Sequence, residues 1–166
     1  MEIRTATDAN WAQIWPFWRD IVAAGETYAY PEGLTNDEAR ALWLPGPPDR
    51  CIVAVAQDGE VLGSAKFGPN RPGRGSHIGT ASFMVAPSAR GRGVGRAMGE
   101  YVVAALADAG FHGIQFNAVV ETNEAALRLW RDLGFETIGV VPEAFDSASA
   151  GLVGLHVMYR ALRESR

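Results

Sequence analysis

The run Arg90-Gly91-Arg92-Gly93-Val94-Gly95 most constrains how this chain folds. Before it stands Ala81-Ser82-Phe83-Met84-Val85, an apolar, β-favouring stretch closed by Pro87. After it, Val94, Ala97, Met98, Tyr101, Val102, Ala105 and Leu106 recur at helical spacing. A strand, a glycine-rich turn and a helix start, in that order, leave backbone N–H groups pointing outward without partners. The helix dipole adds partial positive charge at the same place. Such a turn is either an irregular capped turn or an anion cradle, in which glycines let the backbone approach a diphosphate without a Cβ clash.

The ligand of a cradle depends on the spacing. A Walker loop requires Gly-Lys-Ser/Thr after its second glycine, and the run lacks it. A Rossmann spacing drawn through Gly91 and Gly93 fails at Arg96, the turn lies past mid-chain, and Glu121 is too late to serve as the acidic ribose partner. Arg90, Gly93 and Gly95 fit Arg-x-x-Gly-x-Gly instead. Further on, residues 115–123 (QFNAVVETN) read as a strand running to an Asn at a helix start. A short helix over residues 124–133 follows, then Gly134-Phe135. Together the two motifs resemble the GNAT superfamily of acetyl-CoA-dependent N-acetyltransferases. The resemblance covers residues 50–160 and, more loosely, the whole chain. The wording QFNAVVETNEAALRLWRDLGF, with GETYAYPEG upstream, is also similar to a narrower branch whose members act on small amino or imino acids such as azetidine-2-carboxylate.

Size and composition agree with one such domain over residues 1–166. The chain is long enough to bury a single sizeable core and short for two ordinary domains. An apolar fraction of 48% with 20% charged residues is globular rather than disordered. The net charge of −4 argues against a general nucleic-acid role. Fourteen arginines stand against one lysine, Lys66, so cationic recognition rests on planar guanidinium groups suited to phosphates. Cys51 is the only cysteine, which excludes an internal disulfide and reads as a small buried hydrophobe. No apolar run approaches membrane-spanning length, and Asp8 and Asn10 open a helix pattern where a signal peptide would be apolar. A cytoplasmic enzyme without a metal is expected.

The pattern predicts an α/β fold of element order β α α β β β α β α β β, a mixed sheet with helices on both faces. Strands are expected at residues 2–5, 51–57, 60–68, 77–85, 114–120, 137–141 and 152–160. Helices are expected at residues 6–24, with Pro16 imposing a kink or a late start, and then from a Thr35/Glu38 capping box to about Leu44. Two more follow the glycine run, to about Ala109, and Asn123. Asp58-Gly59 marks a hairpin turn, and residues 142–150 read as a loop. Trp11, Ile14, Trp15, Trp18, Ile21 and Val22 form an apolar stripe on the first helix.

Acetyl transfer from a thioester to an amine passes through an oxyanionic tetrahedral state. It needs an oxyanion donor, a neutral amine and a proton for the departing thiolate. Holding two substrates in contact supplies about 7–11 kcal/mol in favourable systems, so few dedicated side chains are required. The resemblance implies that the main chain of Phe83, Met84 and Val85 bonds the pantetheine arm, with an amide near there polarising the thioester carbonyl. It implies that Arg90, Gly91, Arg92, Gly93, Val94, Gly95 and Arg96 hold the diphosphate of acetyl-CoA. Asn123 then caps its helix and touches the coenzyme. Two departures from the family pattern stand out. Trp130 occupies the place of a Tyr that many relatives use as acid, and indole supplies no proton at a useful pKa. Trp130 either packs against the pantetheine or fills the core. Thr80-Ala81-Ser82 occupies the place of a basic Glu.

For the acceptor, Glu26, Tyr28 and Tyr30 lie in the loop between the first two helices, where recognition residues usually sit. Glu26 can bind an ammonium group or take its proton, and Glu121 is a second such carboxylate. Asn117, on an otherwise apolar strand, reads as a buried amide paired either with a backbone group or with a substrate carboxylate or acetyl oxygen. His156 alternates with Leu155 and Val157 on the last strand and can face the substrate. His77 reads as a strand-end residue and His112 as a helix C-terminal contact. The expected activity is direct transfer, in a ternary complex, to a small-molecule amine. A non-catalytic acyl-CoA sensor or partner-binding module of the same fold is the alternative. No nucleic-acid or membrane partner is expected, and an exposed last strand or helix is a candidate homodimer surface.

Overall fold

The computed structural model describes residues 1–162. Its elements in chain order are β1 (Glu2–Thr5), α1 (Asp8–Ala23), α2 (Asn36–Trp43), β2 (Arg50–Val55), β3 (Val61–Pro69), β4 (Ile78–Val85), α3 (Val94–Asp108), β5 (Gly113–Val120), α4 (Glu124–Asp132), β6 (Glu136–Ser147) and β7 (Gly151–Ala161). The strands form one sheet in the order β1-β2-β3-β4-β5-β7-β6. Only β4 and β5 run parallel; the other neighbours are antiparallel. This is the expected mixed α/β sheet with the expected element order.

Strand alternation assigns the faces. In register, Ser64 opposes Met84 and Lys66 opposes Ser82. This face lies under α1 and α2, and the Trp43 indole donates to Ser64 Oγ at 2.9 Å. The other face carries α3: a Cβ on Gly63 would come within 2.9 Å of Met98. Trp18, Trp43, Met84, Met98, Leu106 and Ile114 are among the core side chains closed to solvent. Cys51 is buried with them, and desolvation raises its thiol to about 11.

One expectation is narrowed and one is corrected. Helix α1 starts at Asp8 and continues through Pro16, so of the two effects foreseen for the proline the late start does not occur. Pro16 and Ala12, whose carbonyl loses its helical partner to the proline ring, both lie on the exposed side, where water can serve that carbonyl. The buried stripe Trp11, Ile14, Phe17, Trp18, Ile21 and Val22 holds the helix down from the other side, with Trp15 only partly buried. Residues 142–147, expected as loop, belong to β6. The ladder slips between Val141 and Phe145, and Glu143 takes a φ of 52°. Proline and a bulge are tolerated here because β6 is an edge strand, where one row of backbone groups needs no partner.

Candidate active site

Strands β4 and β5 are paired only at Ile78–Gly113 and Gly79–Ile114, then separate. Their separation opens a cleft of about 880 Å³ through the sheet. The lining comes from the end of α1 and the loop after it, from β4, the glycine run, β5 and the start of α4. The cleft therefore connects the α3/α4 face with the α1/α2 face.

At its α3 end lies the glycine run. Gly91 and Gly93 take φ values of 73° and 77°, the left-handed region that favours glycine. Gly93 is the N-cap of α3. Ala97 is the first residue whose N–H bonds back, to the Gly93 carbonyl at 3.0 Å. Among the described residues, the main-chain N–H groups of 91–96 meet no hydrogen-bond acceptor. The positive end of the α3 dipole points the same way. A diphosphate fits this arrangement: it needs donors, positive potential and close backbone approach, and no Cβ intrudes at Gly91 or Gly93. Arg90, Gly91, Gly93, Val94, Gly95 and Arg96 line the cleft; Arg92 is exposed and does not. Arg96 pairs with Asp132 of α4 at 2.7 Å, bracing the two helices on the solvent side.

On β4 the residues turn alternately. The Phe83 N–H donates to the Tyr28 hydroxyl at 2.9 Å, and that hydroxyl donates back to the Phe83 carbonyl. Phe83 thus aims both polar groups away from β3, into the gap. Ser82 and Met84 must then turn theirs toward β3, and Ala86, in the same phase, bonds the Leu62 carbonyl at 2.9 Å. Phe83 and Val85 can offer main-chain groups to a ligand; Met84, expected to do so, is committed to the ladder and contributes to the lining only. Burial, and secondarily the neighbouring Tyr30, pushes the Tyr28 phenol above the usual tyrosine range. It is a neutral hydrogen-bonding group and a poor acid.

Helix α4 closes the donor side. Asn123 caps it, its side-chain oxygen accepting the Ala126 N–H at 3.2 Å, and also lines the cleft. Trp130 fills the core and also faces the cleft. It is buried, its ring lies 4.7 Å from Phe83 and 4.8 Å from Phe116, and it forms part of the cleft wall. The tight α3–α4 contact depends on Gly99, where a Cβ would meet Leu133 at 2.7 Å.

Asn117 lines the cleft but is exposed, not buried as expected. The β5–β7 register slips between Phe116 and Val119, so Asn117 and Ala118 leave the ladder and stand out together. Its amide donates to Asn70 Oδ1 at 2.7 Å and accepts from Gln115 at 2.9 Å. Glu26 also lines the cleft, and its carboxylate accepts hydrogen bonds from Ser147 at 2.7 Å and Ser149 at 3.1 Å. Those bonds, Ser147 first, hold its pKa below the usual value. An anchored carboxylate of lowered basicity suits an ammonium group better than a proton-transfer role. Next to it, Ala148 N–H bonds the Gly25 carbonyl at 3.0 Å, so the β6–β7 turn is fastened to the α1–α2 loop.

The structure does not bring Tyr30, Glu121 or His156 to the cleft wall. Tyr30 stacks on Tyr28 behind it at 5.6 Å. The Glu121 carboxylate accepts the Gly154 N–H at 2.8 Å and ties β5 to β7. The His156 ring bonds Thr137 at 3.1 Å. His77 lies against His112, ring centroids 5.4 Å apart, where β4 and β5 begin. Ser147, Ser149 and Asn70 escaped the sequence reading. Nothing local in DSAS or PNRP marks a partner 121 or 47 residues away.

The chain is similar to known proteins in sequence and fold. The model of the acetyltransferase (GNAT) family matches residues 15–135. A solved GCN5-related N-acetyltransferase from Kribbella flavida is 57% identical, with a TM-score of 0.94 over 96% of each chain. The solved yncA of Salmonella typhimurium, described with its cofactor acetyl-CoA, is 25% identical with a TM-score of 0.83, covering 100% of this chain and 96% of that one. The N-acetyltransferase aca1 of Schizosaccharomyces pombe is 35% identical over 137 residues; the match takes in 74% of this chain and 66% of the yeast protein. With the unshared amides, the parted strands and the capping Asn all in place, the chain belongs to the acetyltransferase (GNAT) family.

Proposed function

We propose that this protein transfers the acetyl group of acetyl-CoA to the amine of a small molecule bound at the α1/α2 end of the cleft. The observation that carries the reading is the row of N–H groups at 91–96, without acceptors among the described residues, at the mouth of a cleft that leads to the Phe83 main chain. The diphosphate is assigned to those amides and the pantetheine arm to the gap beside Phe83 and Val85, with Asn123 and Trp130 as its wall. At Phe83, the Tyr28 hydroxyl either yields the amide to the thioester oxygen or presents its own O–H to it; both provide a neutral donor where negative charge develops. Glu26, anchored by the two serines, receives the acceptor as an ammonium ion, and Asn117 stands on the opposite wall as a polar contact. The amine must shed a proton before attack. With no carboxylate on β4, that proton passes to water in the cleft, the departing CoA thiolate takes one from water, and positioning supplies most of the acceleration.

The test is direct. Saturating acetyl-CoA should raise the thermal midpoint, since about 100-fold excess over Kd adds about 2.7 kcal/mol. Release of free CoA should then be followed across amino acids, imino acids and polyamines. Absence of a thermal shift at millimolar acetyl-CoA ends the reading. Binding without thiol release for any amine turns it into the sensor alternative.

A further inference from the structure

Where β4 parts from β5, the Phe83 N–H and C=O lose the strand that would otherwise take them up. Tyr28 fills that place. Its phenol oxygen accepts the Phe83 N–H at 2.9 Å, and its O–H donates to the Phe83 carbonyl. A hydroxyl, donor and acceptor on one atom, thus stands in for the paired groups of a neighbouring strand. The ring is held from behind. It stacks on Tyr30 with centroids 5.6 Å apart, and Trp43 meets it edge-on at 6.4 Å. Tyr28 also forms part of the cleft wall.

The arm of acetyl-CoA is assigned to the same gap. It carries amides and ends in a thioester, so it too brings donors and acceptors to an extended main chain. Both Phe83 groups are already taken by Tyr28, and hydrogen-bond accounting decides between the two arrangements open to the phenol. A phenol has a single hydrogen to give. If Tyr28 turned it to the thioester oxygen, the Phe83 carbonyl would be left without a donor. If Tyr28 withdraws, the thioester oxygen takes the Phe83 N–H. The nearest amide of the arm, separated from the thioester only by an ethylene link and the sulfur, serves the carbonyl. The displaced hydroxyl reaches water, because Tyr28 is only partly buried. The second arrangement leaves every polar group with a partner.

We infer that Tyr28 is a built-in competitor of the acetyl-CoA arm, its hydroxyl holding the Phe83 main chain until the arm displaces it. This rests on the acetyl-transfer reading above and names how the donor end of that site is regulated. CoA carries the same arm, so return of the hydroxyl also helps to expel it after transfer.

The test measures Kd by calorimetry for acetyl-CoA, for CoA and for ADP, which has the diphosphate without the arm. The proteins are wild type, Tyr28→Phe and Tyr30→Phe. Tyr28→Phe removes the hydroxyl and keeps the stacked ring. The Phe83 groups it leaves bare regain partners only on binding. Kd for acetyl-CoA and CoA should therefore fall by about 10-fold, the effect of about one net hydrogen bond, while Kd for ADP changes by less than about 2-fold. Tyr30→Phe, behind the wall, should leave all of them within about 2-fold of wild type. The direction is decisive. A tyrosine that only supports the fold, or that presents its O–H to the thioester, gives weaker or unchanged acetyl-CoA binding when the hydroxyl is removed. Either result overturns the inference, and so does an equal tightening of ADP.

A second readout uses the wild-type chain, so it stands whether or not the variant folds. In an equal mixture of light and heavy water, a tyrosine labelled with ¹³C at Cζ gives paired signals when its hydroxyl exchanges slowly. Tyr28 should show the pair, ADP should preserve it, and saturating acetyl-CoA should merge it. A merged signal before coenzyme is added, or a pair that survives saturation, overturns the inference. Acetyl-CoA bound beside an unmoved Tyr28 removes this inference alone; no binding of acetyl-CoA removes the acetyl-transfer reading as well.

Discussion

The two ends of the cleft are built differently. The α3 end is made by consecutive residues: a strand, a turn with two left-handed glycines and a helix start, all within residues 78–108. The polar atoms it leaves open are backbone N–H groups. The α1/α2 end is made by side chains from distant segments: Tyr28 on the Phe83 main chain, and Ser147 and Ser149 on Glu26. A backbone site accepts one kind of ligand and is damaged by anything that alters the turn. A side-chain site can be re-specified one residue at a time while the donor end keeps its shape. The family's common coenzyme and this chain's particular acceptor are thus assigned to separate structural devices.

The sharpest way to break the comparison is Gly93→Asp. It places a carboxylate where the diphosphate is assigned and strains a φ of 77°, so acetyl-CoA should no longer raise the thermal midpoint and activity should fall by at least about 100-fold. Gly33→Asp is the control. Gly33 has a φ of 75° with nothing within 4 Å and lies outside the cleft wall, so this variant should lose about 1 kcal/mol and keep the shift.

Tyr28→Phe tests the junction between the two ends. It leaves the Phe83 N–H and C=O without their partner and should destabilise the protein by about 1–3 kcal/mol. A titration of stability identifies the cause. The folded phenol has a raised pKa, so its contribution is complete below the unfolded value of 10.0 and fades as pH rises above it. The decline in midpoint above pH 10 should therefore be shallower in the variant. Equal slopes would show that Tyr28 is not shielded in the folded protein.

Glu26→Gln acts on the acceptor end alone. The acceptor KM should rise by about 10-fold while the acetyl-CoA shift is unchanged. Because hydrogen bonds from Ser147 and Ser149 lower the folded pKa, the stability they bring is present above 4.5 and is lost as pH falls through the folded value. Wild type and variant should converge in acid. The smallest effect is expected for Asp132→Asn, which breaks a half-exposed ion pair between α3 and α4. A change of about 0.5 kcal/mol, with kcat/KM unaltered, would show that the α3 end owes little to surface charge.

Legibility followed the same division. The glycine run, the capping Asn123 and the Thr35–Glu38 box were readable because each is a local device with its own residue chemistry. Trp130 was readable as a departure from the family pattern, but its shared role in core and cleft wall needed the rings of Phe83 and Phe116 beside it. Asn117 was misread as buried because a register slip between β5 and β7 has no signature in an apolar strand. Residues 142–147 were misread as loop because proline and small residues usually end a strand. On an edge they need only bend it. Glu121 and His156 carried suitable chemistry, but Gly154 and Thr137, brought in by β7 and β6, each engaged one of their polar atoms away from the cleft.

Taken alone, the order of amino acids determined the elements and their sequence, the placing of the glycine-rich turn before α3, and the identity of the helix caps. These depend on interactions within a few residues, where φ, ψ and side-chain reach are set by the neighbours in the chain. Tertiary structure decided which way each β4 residue faces and which carboxylates are already engaged. Those outcomes depend on contacts between segments as much as 123 residues apart. Such contacts exist only after strand register and helix packing have chosen one partner for each polar group.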